Sequence, residues 1–170
     1  MPTSPVYGLR YPAPADPADV PSDLQKLTSD IESLIGNLKS YTPTWTAATT
    51  NPVLGNGTLV GQWAQVGKII VFNLTWTAGS TTTFGAGPWR FGIPGPVAAG
   101  QTRQIGFGFG YDSSTGNMVQ VIVDGVPGGS DFGPSFGAAY LGALTPVAST
   151  APWAWANGDI MRISGVYLTA

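Results

Sequence analysis

The sequence has no cysteine and no histidine. The first absence excludes disulfides and thiolate metal sites, and the second removes the usual proton shuttle near neutral pH and the commonest metal ligand. Charge is scarce at 9%, the formal net charge is −2, and no run of Lys or Arg offers the basic stripe that nucleic acid or an anionic membrane surface needs. No apolar run is long enough to span a bilayer, and the opening MPTSPVYGLRYPAPADP lacks the apolar core of a signal peptide. These gaps weaken most enzyme mechanisms. The expectation is a non-enzymatic chain with no cofactor, no metal, no nucleic-acid partner and no membrane insertion.

What is present suits one core with an appendage: 170 residues, 43% hydrophobic and 11% aromatic, with 24 Gly and 15 Pro. Charges divide unevenly, since residues 1 to 40 hold five acids and three bases while residues 41 to 170 hold four of each. Three regions are predicted: an extended arm over 1–19, a short helix over 20–40 and an antiparallel β module over 41–170. Pro2, Pro5, Pro12, Pro14 and Pro17 force extended or polyproline-like backbone in the arm and forbid a helix. A purely solvating tail seldom carries apolar groups such as Val6, Tyr7, Leu9 and Tyr11, here with Arg10 among them. They predict an anchoring arm, ordered when it docks onto another chain.

In VPSDLQKLTSDIESLIGNLKS, Pro21 suits a first helical turn, Ser22 and Gln25 form a capping box, and Gly36-Asn37 supplies a stop. Val20, Leu24, Leu27, Ile31, Leu34 and Leu38 alternate spacings of four and three, a heptad seam. A helix this short is marginal alone in water, so it must pack against something. It would lie on its own β domain or against copies of itself. The narrow two-position seam favours a short coiled coil, without deciding between dimer and trimer.

From residue 41 the period changes to two. Ile70, Phe72, Leu74 and Trp76 share one parity, as do Trp89, Phe91 and Ile93, and Ile105, Phe107, Phe109 and Tyr111. VQVIV and DIMRISGVYLTA continue the series, and Gly67-Lys68 reads as a tight hairpin turn. The fold class is mainly β, an antiparallel sandwich or jelly-roll-like module. AGSTTTFGAGP and VPGGSDFGPSFGAA read as surface loops or irregular strands.

Candidate chemistry in the module is thin. Asp112, Asp124, Asp131 and Asp159 are its acids, and each sits beside turn residues rather than in the facing pair that glycoside hydrolysis needs. DSSTGN clusters oxygens in a way faintly like a calcium loop but without the ligand spacing, and reads as a hairpin turn. GFGFG lacks the spacing of a phosphate loop; its glycines are expected to let a second sheet or subunit approach closely. Of six tryptophans, Trp45, Trp63, Trp76 and Trp89 are expected in the core. Trp153 and Trp155, two apart, would share a face if extended, either under a loop or as a platform for a glycan.

The order YGLRYPAPADPADVPSDLQKL, a short helix, YTPTW, GNGTLVG, GSTTTFG, PWRFGIP and a terminal NGD strand resembles virion appendage proteins of tailed phages that infect actinobacteria. The resemblance covers nearly the whole chain and carries no catalytic residue. It implies a head-fibre, capsid-decoration or minor tail subunit, usually trimeric, made in the host cytoplasm and displayed on the virion surface. It also implies a phage capsid or tail protein as the partner of residues 1 to 19. The leading expectation is a capsid-decoration or head-fibre trimer, and the alternative is a tail protein that binds a host glycan or receptor.

Overall fold

The computed structural model describes residues 1–5, 8–17, 19–35, 38–101, 103–137 and 143–170, with residues 34 and 35 described by their backbone. Among these residues one helix, α1 (Val20–Ile35), precedes ten strands: β1 (Lys39–Tyr41), β2 (Trp45–Ala47), β3 (Thr58–Val66), β4 (Ile69–Thr77) and β5 (Trp89–Gly92) come first. β6 (Gln104–Tyr111), β7 (Met118–Gly125), β8 (Asp131–Gly137), β9 (Leu144–Pro146) and β10 (Ile160–Leu168) follow.

The strands form one antiparallel sheet in the order β1-β3-β4-β10-β6-β7-β8-β5-β2, with β9 beside β8. β4 and β2 lie six steps apart in that order, which in a flat sheet is roughly 29 Å at the usual strand spacing. Yet the rings of Trp45 in β2 and Trp76 in β4 have centroids 5.1 Å apart. The sheet is therefore curled so that its two ends face each other, as the two layers of a sandwich do. The mainly β, sandwich-like expectation holds. Its inner face is the core: the alternation in IIVFNLTWT buries Ile70, Phe72, Leu74 and Trp76, and Trp89, Phe91, Phe132, Val121, Val123, Met161 and Ile163 close over them. Trp63 is half-buried, with the Lys39 ammonium 5.2 Å from its ring centroid.

Three local expectations are corrected. The helix does not reach residue 40: Lys39–Tyr41 pairs with Gly61–Trp63, because Tyr41 packs its ring against the bare Cα of Gly61 and strand pairing outcompetes a further helical turn. Leu38 thus lies past α1, outside any helical seam, and the expected stop at Gly36-Asn37 lies outside the described residues. The N-cap is Asp19 rather than Ser22, since the Ser22 N–H donates to Asp19 Oδ1 at 3.2 Å. Of the two readings of its segment, Asp131–Gly137 takes the strand one as β8, despite its glycines and Pro134, whose carbonyl accepts from the Val147 N–H at 2.9 Å.

The third correction concerns β6. Its register against β7 shifts between Gln104 and Gly106, so the facing parity reverses after Ile105. Gly108 lies opposite Val121 and Ile163, both buried, and is inward. Phe107, 64% exposed, points outward, and Phe109 and Tyr111 share its parity instead of joining the core. The inward glycines do admit close neighbours, as expected, but those neighbours are the carbonyls of Ser164 and Arg162 and the Trp155 ring.

Candidate assembly site

The arm is not extended. Thr3 and Arg10 form an antiparallel bridge, the Ser4 N–H donates to the Leu9 carbonyl at 2.8 Å and the Tyr11 N–H to the Pro2 carbonyl at 3.0 Å. Gly8, at φ 68°, makes the reversal that an L side chain would resist, so a miniature hairpin replaces the polyproline run. Val6 and Tyr7, expected in the anchoring arm, lie outside the described residues.

Arg10 then clasps this hairpin to α1. Its Nη2 donates to Asp30 Oδ1 at 2.7 Å, its Nε at 3.0 Å, its backbone N–H to Oδ2 at 2.8 Å, and Nη2 also to the Lys26 carbonyl at 3.3 Å. The Arg10 hydrogen bonds hold the Asp30 carboxyl below the ordinary aspartate range, and Asp30 in turn raises the guanidinium. A bidentate fork of this kind gives direction as well as attraction. It aligns Leu9, Tyr11 and Pro12 of the arm beside Val20, Leu24 and Leu27 of α1, around an apolar hollow of about 420 Å³.

The heptad residues are largely left in solvent. Val20 is 64% and Leu24 57% exposed, Ile31 is exposed as well, and Leu27 is half-buried. The Leu34 side chain lies outside the described residues. α1 borders β3, but its apolar stripe is not laid into the sheet. The arm and the seam, expected as separate devices for anchoring and self-association, therefore border one shared surface.

The other candidates resolve into structural roles. Trp155 is 4% exposed, its Nε1 donates to the Ala151 carbonyl at 3.3 Å, and Trp76 and Trp89 lie 5.4 and 5.3 Å from its ring centroid. Trp153 is half-buried and packs on it at 5.1 Å. The segment holding them is not a strand, so the open pair of ring faces for a sugar, one of the two readings, is not formed. DSSTGN is the β6–β7 turn: Asp112 accepts from the N–H and hydroxyl groups of Ser114 and Thr115, which lower its pKa. Asp159 accepts from Ser113 and Ala156, while Asp124 pairs with Arg103 and Asp131 with Arg90. No grouping of acids able to hold a metal occurs among the described residues.

No family model matches the chain, and no solved structure matches it. It is similar to a Mu-like prophage FluMu defective tail fiber protein of Haemophilus influenzae, with 27% identity over 127 residues. That match takes in 75% of this chain but 20% of the other protein, so the chain spans about a fifth of that relative's length. The likeness points to a phage virion appendage, and it is to a tail rather than a head component.

Proposed function

We propose that this chain is a structural segment of a phage tail fibre, non-enzymatic and associated with the virion. In this reading copies join through the α1 stripe, and the clasped arm fastens the assembly to a neighbouring tail protein. The observation that carries it is the 127-residue likeness to a tail fiber protein. Support comes from an apolar helix stripe whose Val20, Leu24 and Ile31 stay exposed among the described residues, and from an arm held beside it by Arg10 and Asp30. Trimeric association is the arrangement we favour, because fibres are built by repetition about one axis and several weak arm contacts then act together. A capsid-decoration or head-fibre role, the leading expectation from the sequence, shares this construction but lacks a comparable likeness. Sugar recognition through Trp153 and Trp155 is not part of the proposal, since Trp155 is closed.

The test is gold labelling of intact particles with an antibody to the β module, beside particles whose chain lacks residues 1–19. Label on tails, lost on deletion from a chain that still folds and self-associates, is the expected result. Label on heads would overturn the tail assignment, and undiminished tail label would overturn the anchoring role of the arm.

A further inference from the structure

The outer face of the curled sheet carries a second unpartnered apolar surface. Cross-strand registry places Val66 beside Ile69 and Leu168 beside the same Ile69, with Val71 beside Val166 one pleat along. With Phe107 these side chains are all exposed and lie on neighbouring strands β3, β4, β10 and β6. Their combined apolar area is on the order of 500 Å², near the top of what monomeric surfaces carry. The patch also has relief. A hollow of about 540 Å³ opens beside Phe107, lined by Val71, Gln104, Ser164 and Val166 together with the backbone of Gly106 and Gly165.

We propose that this face is a contact between copies of the same chain, in which the projecting Phe107 of one copy seats against the hollow of another. The proposal rests on the self-association described above, and two observations select a second copy as occupant. A protruding ring beside an apolar hollow on one surface lets the ring of each copy seat against the hollow of the next about a common axis. Only three residues separate α1 from β1, so copies gathered by their helices hold their sheets close together at high effective concentration. The patch alone falls short of the ~800 Å² per partner of a standard interface. It therefore acts as an auxiliary contact, secured once the helices meet.

Sedimentation equilibrium on the full-length chain decides the matter with three proteins: the natural chain, Phe107→Glu with Val166→Glu, and Leu24→Asp with Ile31→Asp. Circular dichroism confirms folding, and Val71→Thr with Val166→Thr gives a second face variant that keeps strand-forming side chains. The face variants are expected to raise the self-dissociation constant about tenfold or more, as loss of a buried aromatic anchor does. An unchanged dissociation constant in both face variants, with the helix variant monomeric, would overturn this inference and leave the helix contact standing. Weakening by the face variants alone would uphold the sheet contact and remove the helix one. A natural chain monomeric at every concentration would overturn both and leave the patch to a different protein.

Discussion

α1 and β4 carry similar apolar residues at regular spacing and meet opposite fates. Leu74 in β4 is 1% exposed, whereas Leu24 in α1 is 57% exposed. Hydrophobicity is the same in both; what differs is whether the topology supplies a cover. β4 lies within a sheet whose curl brings Trp45 and Phe132 over its inner side chains while Tyr167 flanks them from the neighbouring β10, and α1 only borders β3. That exposed stripe is the surface on which the proposed self-association rests.

Breaking the covered side should have the largest effect. Trp89→Ala removes a fully buried indole that packs on Trp45, Trp76 and Trp155, and should cost about 3–5 kcal/mol in urea unfolding of the module. Asp19→Ala should cost about 1 kcal/mol, as an N-cap does, and the loss should appear as fraying of the first turn of α1 in hydrogen exchange. Leu24→Asp should change the stability of the dilute chain by less than about 0.5 kcal/mol, because an exposed side chain takes little from the fold, while it weakens association.

The arm clasp adds a dependence on pH. The folded-state pKa of Asp30 lies below its ordinary 3.8, so the clasp contributes fully above that value and is lost as pH falls through the lowered one. Protease sensitivity of the arm should therefore rise on acidification below about pH 4, and Asp30→Asn should show the raised sensitivity at neutral pH. Equal cleavage of both proteins at every pH would contradict the clasp.

The sequence made some of this legible and hid the rest for identifiable reasons. Alternation in IIVFNLTWT and WRFGI reads directly as strand, and Gly67-Lys68 as the turn between Val66 and Ile69. The reversed parity of GFGFG depends on one extra residue near Ile105, a bulge that is set by pairing with β7 and leaves no local signal. β8 is concealed because Gly133, Pro134 and Gly137 depress strand propensity, and its place is earned by Phe132 packing between Phe72 and Phe91. The Arg10–Asp30 clasp joins residues twenty apart, a separation that neither prolines nor heptads announce. By contrast, the apolar stripe over Val20, Leu24, Leu27 and Ile31 follows from spacing alone.

The account rests most heavily on the uncovered helix stripe, and the native mass of the full chain by light scattering tests it most directly when set beside Leu24→Asp with Ile31→Asp. An assembly of several copies that falls to the 17.6 kDa monomer in the double variant, with its circular dichroism intact, is the predicted result. A full chain of monomer mass, or an assembly that the double variant leaves untouched, would contradict it.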